Sequence, residues 1–404
     1  MKKNKRILDL FYTKGGLKKV CLLFACTRGE LKVRTTNWLR ICLLFGVFSA
    51  CQPIEKEEEK ENPNIVYPDQ TSGVYILNEG LYAMNNASIF YLDFMQDRVV
   101  SDVFLLTNQR GLGDTGNDLK RYGRKMYAVM NGSNLVEVMD VYTAKSIKQI
   151  YLRNEKGRGR QPRYITFYEN KAYVACFDGT VCRIDTTSLE VEAVLSVGRN
   201  PDGICSANHK LYVSNSGGLD YPQYDSTVSV IDIAKFKEIK KITVGINPFT
   251  IASDVDGDVY VCTRGNYEDK TDHPIGYNFY RIDSHKDEVV ETFNISVLNF
   301  YIYEQTAYLY NYDYGSKTSW IKTFDTRREK IIKDRFISDG TTIGTPYGVG
   351  VDPFSGDVYI SDAVNFVVRG NVFCFTSQGR LRYMRKTGLN PTHFVFLGRE
   401  ERKK

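Results

Sequence analysis

Short apolar runs with a tyrosine in the second position recur along the chain, as in Val-Tyr75-Ile-Leu and Leu-Tyr212-Val-Ser. The repeated tyrosines are Tyr75, Tyr127, Tyr173, Tyr212, Tyr260, Tyr308 and Tyr359. The steps between them are 52, 46, 39, 48, 48 and 51 residues. A period of about 40 to 50 residues made of short β-rich runs is typical of propeller blades with four strands each. The pattern therefore predicts an all-β fold, a seven-bladed β-propeller.

A second repeat follows each tyrosine run and ends six times in aspartate and once in threonine. Its members are Asp93, Asp140, Asp185, Asp232, Asp283, Asp325 and Thr376. A catalytic site needs one copy of a residue, whereas a turn recurs in every blade. We therefore expect these aspartates to cap the turn that follows the third strand of each blade.

A third element opens the first strand of most blades with a proline, at Pro162, Pro201, Pro248 and Pro346. The first residue of a strand tolerates proline because it need not supply a ladder N–H. Weaker openers are residues 116–119 and 296–300, and the first blade has none. Another opener, Asn390-Pro391, stands at the end of the chain with no blade after it. We predict that this C-terminal strand joins the first blade and closes the ring.

The front of the chain differs from the rest and resembles a secretory leader. A basic segment, about ten apolar residues and Ser49-Ala50-Cys51 follow one another, as in a signal peptide with a bacterial lipobox. We predict a signal peptide over 1–50, with 31–50 as the true leader, and acylation of Cys51. Residues 51–71 would be the lipidated cysteine and an acidic tether, and 72–404 the propeller. An ordinary secretory signal with a chance cysteine is the alternative.

Charge and cysteine usage narrow the classes of partner. Residues 1–50 carry 11 basic against 2 acidic side chains, while the predicted propeller carries 41 against 40. A neutral domain gives no electrostatic footprint for nucleic acid, for which a clustered basic face is typical, so no nucleic-acid partner is expected. Five of the nine cysteines lie inside strand patterns and are expected to be small buried hydrophobes. The four histidines lack ligand spacing, and no metal site is predicted.

Loops between the second and third strands are long and rich in Tyr, Asn and Gly, and they share one face with the interblade loops. Aromatic rings and amides on a concave face suit a large, mostly neutral ligand. For each residue taken alone, a role in turn geometry is the alternative. The candidate ligand-binding residues are Asn78, Glu79, Tyr82, Asn85, Asn86, Asn117, Asp118, Asn134, Arg163, Asp202, Asn215, Tyr221, Tyr224, Arg264, Asn266, Tyr267, Tyr277, Tyr312, Tyr314, Tyr347 and Asn365.

The strand and turn motifs resemble a known family. Leu-Tyr-Val-Ser-Asn, Val-Ser-Val-Ile-Asp and Ile-Thr-Val-Gly-Ile-Asn-Pro are similar to YncE-like, YVTN-type seven-bladed propellers. Gly73-Val-Tyr-Ile-Leu-Asn78-Glu79-Gly80, followed by Asn85-Asn86-Ala-Ser88, resembles the DUF5074 surface lipoproteins of Bacteroidota. The resemblance spans roughly 72–396, and the group includes lipoproteins that capture cobalamin for a TonB-dependent outer-membrane transporter.

That resemblance implies a non-catalytic, lipid-anchored protein of the outer membrane. The acidic residues just behind Cys51 resemble the outer-surface export signal of Bacteroidota lipoproteins, so we expect the protein to face the cell exterior. Its ligand would be a corrinoid, bound as cargo and not as a cofactor, and its partner a TonB-dependent outer-membrane transporter. A surface module for glycan or protein interaction is the alternative. An enzyme such as a propeller lactonase is the third hypothesis, but it needs an acid–base or metal cluster on the axis, which the sparse histidines do not support.

Overall fold

The computed structural model describes residues 67–266 and 275–403, and those residues form seven four-stranded antiparallel sheets. The strands in chain order are β1 (Thr71–Asn78), β2 (Ser88–Asp93), β3 (Arg98–Val100), β4 (Gly116–Tyr122), β5 (Lys125–Met130), β6 (Leu135–Asp140), β7 (Ser146–Tyr151), β8 (Pro162–Tyr168), β9 (Lys171–Cys176), β10 (Thr180–Asp185), β11 (Val191–Ser196), β12 (Pro201–Ala207), β13 (Lys210–Asn215), β14 (Thr227–Asp232), β15 (Lys237–Thr243), β16 (Pro248–Ser253), β17 (Val259–Thr263), β18 (Asn278–Asp283), β19 (Glu288–Thr292), β20 (Asn299–Tyr303), β21 (Thr306–Asp313), β22 (Thr318–Asp325), β23 (Lys330–Lys333), β24 (Pro346–Val351), β25 (Val358–Asp362), β26 (Arg369–Phe375), β27 (Leu381–Leu389) and β28 (Pro391–Gly398). Helix α1 (Val103–Asn108) follows β3, and a 3₁₀ helix (Glu400–Lys403) follows β28. The predicted seven-bladed propeller is confirmed.

Blade one contains β28, β1, β2 and β3, and each later blade contains the next four strands in chain order. Strand β28 pairs antiparallel with β1, with Val395 opposite Tyr75. It also packs against β4 and β24, the inner strands of the two neighbouring blades. The predicted closure of the ring by the C-terminal strand is therefore confirmed.

The repeated tyrosines are buried in the second strand of each blade, and two of them bond to the next blade. The Tyr212 hydroxyl donates to the carbonyl of Ser284 at 3.1 Å, and the Tyr260 hydroxyl donates to the carbonyl of Thr326 at 2.8 Å. A buried phenol usually finds a partner for its O–H. For Tyr212 and Tyr260 the turn of the following blade supplies that partner, so these two repeated tyrosines also join adjacent blades.

The repeated aspartates cap the turns after the third strands, as predicted. Asp185 Oδ1 accepts from the backbone N–H of Thr187 at 2.8 Å and of Ser188 at 2.7 Å. The aspartates that cap the corresponding turns in other blades are Asp93, Asp140, Asp232, Asp283 and Asp325. A carboxylate that satisfies turn N–H groups has a structural role.

Antiparallel pairing brings the starts of the inner strands and the loops between second and third strands to one end of the ring. Pro162 pairs with Cys176, and Pro201 pairs with Asn215, which is the last residue of its strand. We call this end the long-loop face. Its described loops are residues 79–87, 131–134, 177–179, 216–226, 264–266 with 275–277, 314–317 and 363–368.

The five cysteines within the described residues are buried, and none of them forms a disulfide. No helix between residues 67 and 403, outside the gap at 267–274, is long and apolar enough to cross a bilayer. The predicted leader, the lipidation site Cys51 and most of the predicted tether lie outside the described residues. Tyr67 stacks on Phe94, with ring centroids 4.5 Å apart, just before β1 begins.

Candidate functional site

A cavity of 220 Å³ opens at the centre of the long-loop face. We call it the central cavity. Its lining comes from the starts of inner strands, the end of β21 and the loops of the long-loop face. The lining residues are Glu79, Asn117, Arg163, Tyr164, Phe249, Arg264, Leu298, Asn299, Tyr310, Tyr312, Tyr314, Thr345, Pro346, Tyr347, Phe366 and Thr392.

One side of the central cavity carries two guanidinium groups. Arg163 donates from Nε to Asp202 Oδ1 at 2.9 Å and from Nη1 to Asn117 Oδ1 at 2.9 Å. These contacts join the inner strands of blades two, three and four. Arg264, from blade five, lies over the ring of Phe249 at 3.4 Å. Stacking on an aromatic face orients a guanidinium group. We call Arg163, Arg264 and the amide of Asn117, which bonds Arg163, the guanidinium wall.

A second part of the lining is aromatic and comes from blades six and seven. Tyr312 meets Tyr314 edge to face with centroids 4.9 Å apart, and Tyr314 lies nearly parallel to Phe366 at 6.3 Å. Phe366 also contacts Tyr347 edge to face at 5.9 Å. The Tyr310 hydroxyl donates to the Tyr347 carbonyl at 2.6 Å, which fixes two strands of this side. We call these five residues the aromatic wall.

Glu79 contributes a carboxyl group to the lining, and the Tyr347 hydroxyl donates a hydrogen bond to its Oε2. Burial raises the pKa of Glu79 above its usual value, and the hydrogen bond from Tyr347 and the charges of Arg163 and Arg264 oppose that rise. The central cavity therefore combines two fixed cations with a carboxyl group that burial disfavours as an anion.

Replacing Glu79 with Gln should change how stability depends on pH. The native environment favours the neutral carboxyl, so its stabilising contribution is complete below the ordinary pKa of 4.5 and is lost as pH rises through the raised pKa. Glutamine is neutral throughout, so we expect the variant to gain stability relative to the native chain as pH increases above 4.5. Urea unfolding at a series of pH values from about 4 to 8 measures this slope.

Tyr347→Phe provides the matched comparison for Glu79→Gln. It removes the hydrogen bond that lowers the pKa of Glu79. The stability of this variant should therefore fall more steeply with rising pH than that of the native chain. Parallel stability curves for all three proteins would show that Glu79 is not held in the environment described.

A second polar pair lies on the axis. His393 Nε2 is 3.4 Å from Asp118 Oδ1, and the Asp118 carboxylate is fully buried. Asp118 Oδ2 also accepts from the backbone N–H of Ile165 at 3.0 Å. Burial lowers the pKa of His393, and the charge of Asp118 opposes that shift. The pair joins the closing strand β28 to blade two.

The predicted site residues within the described part of the chain fall into three groups. Those that line the central cavity are Glu79, Asn117, Arg163, Arg264, Tyr312, Tyr314 and Tyr347. Two do not line the cavity but contact side chains near it. Asp202 accepts a hydrogen bond from Arg163, and Asp118 lies beside His393. Those elsewhere on the long-loop face or in its strands are Asn78, Tyr82, Asn85, Asn86, Asn134, Asn215, Tyr221, Tyr224, Asn266, Tyr277 and Asn365. Tyr267 lies outside the described residues.

Several asparagines in the third group bind backbone N–H groups of the protein and do not face a ligand-sized space. Asn78 is fully buried and accepts from the Gly388 N–H at 2.9 Å, and Asn215 is fully buried and accepts from the Gly198 N–H at 3.2 Å. Other side-chain oxygens in the group accept from loop N–H groups, namely those of Asn86, Asn134, Asn266 and Asn365. Asparagine stabilises such turns because its amide reaches nearby backbone.

Nine lining residues were not among the candidates from sequence. They are Tyr164, Phe249, Leu298, Asn299, Tyr310, Thr345, Pro346, Phe366 and Thr392. A signal existed for some of them, since Tyr164 and Phe249 stand one or two places after an opener proline, as Tyr347 does. In a propeller those positions begin the inner strands and face the axis.

Exposed apolar side chains surround the central cavity on the same face. Tyr82 is 71% exposed, Leu219 is 61% exposed and Val367 is 64% exposed. We call the set the rim, and its members are Tyr82, Met84, Leu219, Tyr221, Ile275, Tyr314, Val364, Val367 and Val368. Apolar groups gathered on one face favour an interaction surface. Among the described residues no group of three or more His, Cys, Asp or Glu could hold a metal ion.

Comparison with known proteins gives a family and a fold. The sequence matches the family model described as "Domain of unknown function (DUF5074)" over residues 72–372. No curated protein matches it.

The similar solved structures are remote in sequence. A quinonprotein alcohol dehydrogenase-like protein from Bacteroides thetaiotaomicron has a TM-score of 0.55 at 15% identity, covering 81% of this chain and 78% of that one. Hydrazine synthase from Kuenenia stuttgartiensis has a TM-score of 0.50 at 18% identity, covering 63% and 74%. The dihydro-heme d1 dehydrogenase NirN in complex with DHE has a TM-score of 0.51 at 10% identity, covering 82% and 76%. At such identities the likeness shows the propeller fold alone.

Proposed function

The chain belongs to the DUF5074 family of unknown function, and we propose that this member binds a large ligand on its long-loop face without transforming it. The proposed ligand is a corrinoid such as cobalamin. The proposed setting is the outer surface of an outer membrane, with the protein anchored through an acylated Cys51. The protein would pass its cargo to a TonB-dependent outer-membrane transporter.

The observation that carries the proposal is the arrangement of the long-loop face. The central cavity is lined by hydrogen-bonding groups and by aromatic rings, and the apolar rim surrounds it. A binding site of this kind uses rings for contact area and a few polar groups for orientation. A corrinoid offers a broad conjugated ring edged with amide side chains, which suits both kinds of surface.

Size determines how such a ligand would lie. Sites that enclose a drug-sized ligand have volumes of about 300 to 1,000 Å³. The central cavity, at 220 Å³, is smaller than that range. A corrin macrocycle would therefore lie across the rim, above the cavity, and its amides would meet the polar groups of the loops.

Calorimetric titration with cyanocobalamin and with its precursor cobinamide tests the proposal. The protein would begin at residue 52, so that Cys51 and the leader are absent. Saturable binding of corrinoid supports the proposal, and the absence of saturable binding of either compound contradicts it.

An interaction module for glycan or protein is the second candidate, and the aliphatic part of the rim favours it. Val364, Val367 and Val368 are each more than 40% exposed in one loop. Aliphatic side chains of this kind suit protein contact better than they suit an amide-edged ring. Binding to surface polymers or to a protein, in the absence of corrinoid binding, would establish this second function.

Alanine substitutions on the rim should weaken corrinoid binding and leave the fold unchanged. Tyr221 is 48% exposed and Tyr314 is 57% exposed, so neither carries the core. Loss of one aromatic contact at a binding surface should lower affinity by about tenfold. Val255→Ala is the matched control, because Val255 is 60% exposed in the hairpin between β16 and β17, at the other end of the ring. Unchanged affinity in both tyrosine variants would place the site elsewhere.

A further inference from the structure

We propose that the central cavity is a subsite for one planar aromatic or conjugated ring that carries an anionic oxygen group. The ring would lie against the aromatic wall, and the oxygens would face Arg163 and Arg264. The inference rests on the proposed function in one respect, namely that the long-loop face is where this protein binds its ligand.

The volume of the cavity sets the size of its occupant. A dry cavity of about 150 Å³ in another protein holds a benzene molecule. The central cavity, at 220 Å³, has room for one ring with a small substituent. It is too small for a macrocycle or a chain of sugars. A larger ligand would insert one terminal group and leave the rest on the rim.

The two unlike walls set the shape and polarity of that group. Tyr314 and Phe366 are nearly parallel, with an interplanar angle of 20°. Tyr312 and Tyr347 are edge-on to these rings. Flat π surfaces favour a flat ring over a saturated one, because offset stacking requires two planar partners.

The guanidinium wall is prepared for oxygen acceptors. Arg163 is fixed by Asp202 and Asn117 through Nε and Nη1, and its Nη2 makes no hydrogen bond to any described residue. Arg264 is fixed by its stacking on Phe249. A guanidinium held in place by other contacts loses little entropy when it binds, and its fork matches a carboxylate or phosphate.

The charge of the lining favours an anion over a cation. The charged lining residues are Glu79, Arg163 and Arg264. Glu79 is engaged by Tyr347, and Asp202, which lies behind the lining, is engaged by Arg163. Among the described lining residues, a cationic ligand would meet two guanidinium groups. An anion would meet one carboxyl group there, that of Glu79, which already accepts a hydrogen bond from Tyr347.

Small probes test this assignment without any larger ligand. The full chain would be titrated with benzoate, with cyclohexanecarboxylate, which lacks the π face, and with benzyl alcohol, which lacks the charge. We expect saturable benzoate binding and affinities at least about tenfold lower for both analogues. No benzoate binding, or equal binding of either analogue, would overturn the assignment.

Variants locate the probe. Arg264→Gln and Phe366→Leu should each reduce benzoate affinity by about tenfold, because each removes one side of the subsite. Tyr151→Ala is the control, since Tyr151 is 53% exposed at the end of β7 and belongs neither to the cavity lining nor to the rim. Phe366→Leu keeps the test decisive if Arg264→Gln fails to fold. An effect of Tyr151→Ala equal to those of the cavity variants would contradict the assignment.

A parallel cyanocobalamin titration separates this inference from the proposed function. Corrinoid binding without benzoate binding would overturn the subsite and leave corrinoid capture standing. Benzoate binding without corrinoid binding would support the subsite and contradict corrinoid capture.

Discussion

Ending the chain at Asn390, before β28, should abolish cooperative unfolding of the propeller. The deletion exposes the inner edge of β1 and removes a strand that packs on β4 and β24. It also removes three buried apolar side chains, Val395, Phe396 and Leu397. Burial of three such side chains contributes about 5 to 9 kcal/mol. That amount is comparable to the whole stability of a typical domain, about 5 to 15 kcal/mol.

Thermal unfolding followed by circular dichroism measures the effect of the deletion. The control ends the chain at Arg399, which keeps β28 and removes the 3₁₀ helix. That control loses the ion pair between Arg121 and Glu401, whose side chains are 23% and 32% exposed, so it should cost about 1 kcal/mol or less. Similar melting curves for the native chain and the chain ending at Asn390 would show that closure by β28 does not hold the ring together.

Arg163→Ala should be the most damaging single substitution on the long-loop face. The Asp202 side chain is 5% exposed, and its partner Arg163 is 14% exposed, so the pair is largely out of water. Removing one partner leaves a buried carboxylate uncompensated, which costs about 3 to 5 kcal/mol. The same change withdraws a guanidinium from the central cavity, so ligand affinity should fall in parallel. Urea unfolding and titration on the same preparation measure both effects.

Two comparisons isolate the cause. Glu190→Gln breaks the ion pair with Lys148, in which the Glu190 side chain is 70% exposed, and should change stability by less than about 1 kcal/mol. The double variant Arg163→Met with Asp202→Leu should be more stable than Arg163→Ala, because no unpaired charge remains. A double variant as unstable as Arg163→Ala would mean that packing, and not the buried charge, is what the substitution removes.

The architecture followed from the sequence because its signal is repeated. Each tyrosine run is a second strand, each terminal aspartate caps a turn, and each proline opens an inner strand. The closure by β28 could be predicted because the C-terminal opener has no blade after it and the first blade lacks an inner strand of its own. Helix α1 had no such repeated signal, because among the described connections between blades only the one from β3 to β4 contains a helix.

The site was harder to predict than the fold, because a loop sequence does not say which side chains point to the axis. The Asn and Tyr content of the loops located the face, and seven of the candidate residues line the cavity. Asn78 and Asn215 have the same local sequence character, yet their amides are buried on backbone groups. The pairing of Arg163 with Asp202 depends on two inner strands that are 39 residues apart in the sequence, and periodicity alone cannot specify such a contact.

Hydrogen–deuterium exchange with and without cyanocobalamin tests the central claim most directly. If the long-loop face captures the ligand, protection should appear in loops 79–87, 216–226, 314–317 and 363–368 and at the first residues of the inner strands. The hairpins at the opposite end, such as 254–258, should exchange at the same rate in both states. Protection at those hairpins, or no protection at all under saturating ligand, would contradict the account.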